Sequence, residues 1–307
     1  MTHYNVKNFL KSALHKLTVF RQPSVSKKEK NRKEKVFSLL DSEGIGLEIG
    51  PSHNPIAPKR EGYNVHILDH ASTEELREKY KFHNVNLENI ELVDFVSRGE
   101  PYSELIGVQN YYDWIICSHA IEHMPDPILF LQQCEKILKP GGVLSLVIPD
   151  KRRCFDYFSP ISQTGALLDA FYSERKSSTI GQIFDHFANA AKVGDSIAWG
   201  SDTFIPDGLV HGIEDARTCV DRYSSSGEYF DVHCWRFIPE SFRLIVSDLY
   251  FLELIGLKIE LEFPTEGCEF FVSLRKTDRM SKESIIDTLS NNDRRIKALK
   301  SLYKNFQ

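Results

Sequence analysis

Leu47-Glu48-Ile49-Gly50-Pro51-Ser52 closes a short apolar run with a carboxylate and then a glycine. Further along, Val65-His66-Ile67-Leu68-Asp69 closes a second apolar run, again on a carboxylate. Two short buried strands, each followed by a loop and an acid, begin an open α/β sheet, and such sheets bind ligands beyond the carboxyl ends of their strands. Gly50 lets the backbone come close to a ligand with no Cβ in the way. Asp69 sits where nucleotide-binding α/β proteins place the acid that grips ribose hydroxyls. Two acids on this rim argue against a phosphate-rich ligand and for a cationic, ribose-bearing one. No G-x-G-x-x-G follows the first strand, which disfavours a nicotinamide oxidoreductase.

Outward from this pair, the chain alternates. A polar, helix-forming stretch runs from Thr73 to Tyr80, and Ile90 to Val96 is a candidate third strand carrying Asp94. Tyr112 to Ser118 is a strong fourth strand, Ile128 to Leu138 has helical periodicity, and Lys139-Pro140-Gly141-Gly142 is helix-stop chemistry. Val143 to Ile148 reads as a fifth strand. Residues 151–232 lose the pattern: helical pieces at Ala166 to Tyr172 and Ile180 to Ala191 stand among Gly- and Ser-bearing loops, as in a lid that covers the strand ends. Order returns at Cys234-Trp235-Arg236-Phe237, Pro239 opens a helix, and Leu257 to Phe263 with Glu269 to Leu274 form a terminal antiparallel hairpin. The predicted architecture is a doubly wound, mostly parallel α/β sheet with a helical lid insertion and that hairpin. Its divisions are 1–40 (basic helical extension), 41–150 (cofactor-binding core), 151–232 (lid), 233–276 (end of the sheet) and 277–307 (polar tail).

Composition narrows the function. The 307 residues carry a formal net charge of -5, which gives no overall case for nucleic acid. None of the six cysteines has C-x-x-C spacing, so neither a zinc knuckle nor a redox pair is indicated. Free thiols and the lack of a signal peptide point to a reducing, cytoplasmic setting. In the first forty residues, Val6, Phe9, Leu10, Ala13, Leu14 and Leu17 recur at helical spacing, and a basic run from Lys27 to Lys35 follows. We read these as a packed helix and a solvated basic helix; the alternative is a surface helix making peripheral contact with anionic lipid.

The chain resembles the class I S-adenosylmethionine-dependent methyltransferases, on four pieces: Leu47-Glu48-Ile49-Gly50, Leu68-Asp69, Asp113 to Ser118 followed by Glu122-His123, and Leu138-Lys139-Pro140-Gly141-Gly142-Val143-Leu144. The resemblance covers about Gly44 to Ile148 and, more loosely, the hairpin. It implies a Rossmann-like, seven-stranded sheet and S-adenosylmethionine as cofactor. The family's first motif has two or three glycines, whereas here Gly50 is followed by Pro51-Ser52-His53-Asn54-Pro55. This Gly-Pro form, Ile148-Pro149-Asp150-Lys151-Arg152 and His233-Cys234-Trp235-Arg236-Phe237 resemble the branch found with bacterial surface-polysaccharide glycosyltransferases, which implies O-methylation of a sugar or polysaccharide precursor. A small metabolite, a lipid-linked intermediate or a non-catalytic role in a glycan-assembly complex are the alternatives.

The resemblance assigns Glu48, Gly50, Pro51, Ser52, Asp69, Asp94 and Ser118 to the cofactor: Glu48 toward its methionine end, Asp69 on both ribose hydroxyls, Asp94 on the adenine amino group and Ser118 beside the sulfonium. The alternative for Asp94 is a strand-end turn residue. His119, Glu122 and His123 are the catalytic candidates. At (i, i+3) and (i, i+4) spacing they share one face of a helical turn, and His119 at the end of the fourth strand can take a proton from an acceptor hydroxyl. Some resembling methyltransferases hold a divalent metal here with Glu-x-x-Glu-His and a downstream histidine. His119 stands in place of the first Glu and His233 is the distant candidate; no metal is assigned.

Overall fold

The computed structural model describes residues 27–201, 203–277 and 288–304. The amphipathic stretch Val6 to Leu17 lies outside them. Seven strands form one sheet: β1 (Gly46–Ile49), β2 (Val65–Asp69), β3 (Phe95–Val96), β4 (Tyr112–Ser118), β5 (Leu138–Pro149), β8 (Leu257–Glu266) and β9 (Glu269–Lys276), with β6 and β7 elsewhere. The spatial order is β3-β2-β1-β4-β5-β9-β8. The first five are parallel, and β9 runs antiparallel between β5 and β8. The expected doubly wound sheet and terminal hairpin are both present.

Period-2 alternation sends the strand side chains to two faces. Leu47, Ile49, Ile115, Cys117, Leu144 and Leu146 join the larger core with the helices Pro127–Ile137 and Pro239–Phe251. Trp114, Ile116, Val147 and Phe271 point the other way, where α1 (Lys27–Phe37) lays Val36 against them. Gly46 belongs to this second face: a Cβ there would sit 2.1 Å from the Trp114 indole, so only glycine lets the ring lie flat across β1.

The crossover from β1 to β2 departs from a regular α/β unit. Pro51, Pro55 and Pro58 interrupt it, each lacking an N–H. The only helical piece is a 3₁₀ turn at Lys59–Glu61, and α1 fills the space on the sheet. Without a helix after β1, the rim lacks the N-terminal dipole that favours phosphate.

The third strand is shorter than expected: only Phe95–Val96 pairs, not Ile90 to Val96. Side chains replace the missing ladder. Val93 N–H donates to Thr73 Oγ1 (2.9 Å), and Ile67 N–H donates to Asp94 Oδ2 (2.6 Å). The fifth strand is longer than expected, because Leu138 already pairs with Tyr112 ahead of the Gly141-Gly142 turn.

Residues 151–232 form three helices (Thr164–Tyr172, Ile180–Asn189, Ile213–Ser226) and the small antiparallel pair β6 (Ala191–Lys192) and β7 (Gly208–Leu209). Their two ends return to the sheet together: Lys151 N–H donates to Phe237 O, and Asp150 bridges to Phe237. In the tail, the helix Thr288–Lys304 pairs Arg295 with Asp248. No helix among the described residues is long and apolar enough to cross a membrane, and the six cysteines are free.

Candidate functional site

The carboxyl rim has two halves. Over β1 and β2 the chain turns sharply: Gly50 has φ +66° and Ser52 φ +53°. The left-handed region costs glycine little and serine more. The turn is folded onto Asp69, whose Oδ2 accepts Ser52 N–H (3.0 Å) and Oδ1 accepts His70 N–H (2.8 Å). Oδ2 keeps a further lone pair, whereas Oδ1 also meets the His70 ring. Asp69 is 1 % exposed, with the His70 ring 2.6 Å away over its outer side. Pro51 is buried beneath the turn, and Ser52 Oγ donates to the Tyr80 hydroxyl.

Glu48 is bonded to the backbone of its own loop. Its carboxylate accepts Ile56 N–H (2.7 Å) and Ala57 N–H (3.0 Å), supplying acceptors to a loop that has no helix to do so. Burial pushes its pKa up to about 7, against the opposing pull of those two N–H groups, Arg32 and Lys33. Glu48 thus shapes the turn from below. Asp94 is engaged within the fold. It lies opposite Ile67, before the carboxyl end of β3, and its carboxylate is held by Ile67 N–H and Lys59 Nζ (2.6 Å).

Over β4 the rim is built around Glu122. Ser118 ends the strand and its hydroxyl accepts Arg32 Nη2 (2.9 Å). His119 follows with φ +50°, held by its N–H on Val147 O. A 3₁₀ turn at Ile121–His123 comes next, so the expected shared face belongs to this tight turn and not to an α-helix. The Glu122 carbonyl accepts Cys234 N–H (2.8 Å) and Trp235 N–H (3.1 Å), which brings the segment after the lid against the turn. The Glu122 side chain is 0 % exposed, and neither carboxyl oxygen has a hydrogen-bond partner. Three ring nitrogens face its Oε1: His119 Nδ1 at 3.8 Å, His123 Nε2 at 3.9 Å and His233 Nε2 at 3.9 Å. The structure brings together His119, Glu122, His123 and the distant His233.

Each histidine meets another carboxylate through its opposite nitrogen. His119 Nε2 lies 2.8 Å from Glu269 Oε2, and His233 Nδ1 lies 2.5 Å from Asp156 Oδ2. His123 Nδ1 lies 2.8 Å from Asp231 Oδ1, a close ion-pair contact that is not aligned as a hydrogen bond. Burial would raise Asp156, but His233 and Arg236 hold it down to about 2. Burial would likewise raise Glu269, but His119 and Arg32 hold it at about 2. The His123 ring is raised: burial works against its charge, and Asp231 and Glu122 prevail. His186, which accepts the His233 backbone N–H, is lowered to about 3 by burial and then by His233.

Sequence reading missed Arg32, Asp156, Asp231 and Glu269. Arg32 looked like one more charge in a basic run, yet its guanidinium also donates to Glu269 (2.6 Å). Glu269 opens a strand of the terminal hairpin, a place with no local signal for a rim acid. Asp150 and Lys151 start the lid: Asp150 pairs with Arg152 and accepts the Thr265 hydroxyl, and Lys151 Nζ donates to Tyr157 O.

The residues suit two kinds of guest. The rim over β1 and β2 offers a buried diol acceptor in Asp69 and an acid-lined turn without a phosphate-binding helix, which fits an adenosyl sulfonium compound. Glu122, His123 and His233 can each place one ligand atom within 4.8 Å of the others, as a divalent metal requires.

A family profile described as a methyltransferase domain matches residues 24–190. The chain belongs to this family. A segment of 56 residues is 36 % identical to a ubiquinone biosynthesis O-methyltransferase of Acinetobacter baumannii, covering 18 % of this chain and 23 % of that protein. A segment of 31 residues is 48 % identical to the Vibrio cholerae protein of the same name, covering 10 % and 13 %. The chain thus spans less than a quarter of the length of these curated relatives. Among solved structures, a methyltransferase of Thermotoga maritima is 16 % identical with TM-score 0.40, over 89 % of this chain and 97 % of that one. A 1,6-didemethyltoxoflavin-N1-methyltransferase of Burkholderia thailandensis, with S-adenosylhomocysteine bound, is 11 % identical with TM-score 0.43, over 89 % and 87 %.

Proposed function

We propose that this methyltransferase methylates a hydroxyl of a sugar or polysaccharide precursor. The observation that carries hydroxyl chemistry is the ring of three histidine nitrogens around Glu122 at the end of β4, next to the turn over Asp69. When bound, S-adenosylmethionine supplies an electrophilic methyl carbon on a sulfonium. Asp69 would accept from the ribose hydroxyls once the exposed His70 ring, now 2.6 Å from its Oδ1, gives way. Gly50-Pro51-Ser52, braced by Glu48, would shape the wall facing the adenosyl group. His119 is the candidate base: it would take the proton of the acceptor hydroxyl. Proximity and alignment supply most of the acceleration, and a positioned base adds about 100- to 10,000-fold. The polysaccharide acceptor rests on the resemblance of the Gly-Pro turn and the strings after β5 and the lid. The name of the Acinetobacter and Vibrio relatives supports an oxygen acceptor and keeps a lipid-linked one in play.

The unpartnered Glu122 favours a second reading of the same centre, in which Glu122, His123 and His233 hold a divalent cation, with His119 beside it. Such a cation would polarise the acceptor oxygen and lower its pKa. The test of both is transfer of labelled methyl from the cofactor into fractionated cell-surface glycan precursors and, in parallel, lipid extracts, with and without a chelator. Label in glycan supports the proposal, and label only in lipid replaces the acceptor. Tight cofactor binding without label in any fraction points to a non-catalytic partner. Loss of transfer with chelator, restored by Mn²⁺ or Zn²⁺, supports the metal reading.

A further inference from the structure

We infer that Asp156 and Glu269 are positioning residues: each takes the N–H of one histidine, and together they turn the lone pairs of His233 and His119 onto Glu122. This rests on the reading of the Glu122 cluster as the reacting centre. Neither acid touches the space around Glu122, and neither belongs to the stretch of chain that carries the candidate motif. They come from segments far apart in the chain, Asp156 from the start of the lid and Glu269 from the terminal hairpin.

The argument is one of tautomers. A neutral imidazole has one N–H and one lone pair, and the partner of the first decides where the second points. A carboxylate can only accept, so whenever the rings are neutral His233 carries its proton on Nδ1 toward Asp156 and His119 carries its proton on Nε2 toward Glu269. The remaining lone pairs, on His233 Nε2 and His119 Nδ1, face Glu122 Oε1 at 3.9 and 3.8 Å. The two histidines use opposite nitrogens for the same purpose, which a shared local motif would not produce. Both acids are themselves held. Asp156 Oδ1 accepts Arg236 Nε (3.2 Å), and both Glu269 oxygens accept from Arg32. The His233 ring is further fixed by Phe155, with centroids 4.6 Å apart, by the edge of His123 at 4.6 Å, and by its own backbone N–H on His186 Nδ1. The arrangement serves a base, which needs a lone pair, and a cation, which needs the same lone pair.

The test uses the full chain labelled with ¹⁵N-histidine. At alkaline pH the wild type should show His233 protonated on Nδ1 and His119 on Nε2. Asp156→Asn presents an amide N–H to His233 and should invert that tautomer alone; Glu269→Gln should invert His119 alone. Methyl transfer should fall about 100-fold in Asp156→Asn and less in the more exposed Glu269→Gln, as expected when a histidine is held in the wrong tautomer. Binding of S-adenosylhomocysteine, by calorimetry, should stay within twofold. Unchanged tautomers in both variants, or inverted tautomers with full transfer, would overturn the inference. If Asp156→Asn does not fold, Glu269→Gln on the partly exposed hairpin decides, and the spectra decide even before an acceptor is found. His119→Ala and His233→Ala separate the levels. Full transfer in both defeats the reading of the cluster itself, whereas loss in both with full transfer in the acid variants defeats only the positioning role.

Discussion

The two halves of the carboxyl rim are built on opposite principles. Over β1 and β2 every acid is satisfied by backbone close in sequence: Asp69 by Ser52 and His70, Glu48 by Ile56 and Ala57. Over β4 the central acid, Glu122, has no hydrogen-bond partner, and the groups around the centre arrive from the N-terminal helix, both ends of the lid and the hairpin. The first half is a turn closed on itself. The second leaves a buried carboxylate without a hydrogen bond, which costs stability unless a guest supplies what is missing. A protein retains that cost where the group has work to do.

Substitutions can break this contrast, beginning with the largest effect. Glu122→Gln should lower methyl transfer about 1000-fold, within the range for a lost acid–base or ligand group. It should leave thermal stability equal or higher, because it removes an unsatisfied buried acid. A large fall in the unfolding temperature would mean that Glu122 is a structural residue like Glu48.

The Glu48 half should respond to pH. Its folded pKa of about 7 lies above the ordinary 4.5, so the folded state holds the proton more tightly than the unfolded state. Its contribution is most favourable below pH 4.5, fades as pH rises toward 7 and is lost above, an effect of about 3 kcal/mol. Asp156 and Glu269, held at about 2, run the other way: their contribution is present above pH 4.5 and lost as pH falls toward 2. Urea unfolding of wild type and Glu48→Gln from pH 4 to 8 checks this, and a difference that stays flat across the window refutes it.

Asp69→Ala should weaken S-adenosylhomocysteine binding about 100-fold, the loss of two hydrogen bonds to a buried charged acceptor. Calorimetry showing unchanged affinity would remove the ribose from this half. Asp94→Ala sharpens the comparison by doing little: about 1 kcal/mol of stability for its bonds to Ile67 and Lys59, with cofactor affinity unmoved. A tenfold loss of affinity would return Asp94 to the cofactor site.

Legibility in sequence followed the same divide. The Glu48-Ile49-Gly50 and Leu68-Asp69 signals could be read because strand, turn and acid are consecutive, so periodicity and turn chemistry report them directly. For Asp94, an acid near a strand end looks alike in sequence whether it sits before or after the paired segment, and only the register with Ile67 shows that it comes before. The missing ladder bonds of β3 were hidden for a related reason, since Thr73 stands on the neighbouring helix. His119, Glu122 and His123 were legible as a local group. Their geometry was not, because a left-handed residue followed by a 3₁₀ turn has no periodic signature.

Sequence alone determined the order of strands and helices, the hairpin and the residues of the turn over Asp69, because these depend on interactions between near neighbours in the chain. Tertiary structure alone decided that a prolyl loop and α1 stand in for a helix after β1, and that Arg32, Asp156, Asp231 and Glu269 surround the histidines. Those contacts join segments as much as 237 residues apart. No local propensity encodes them: they exist only once the sheet has set its strand ends side by side.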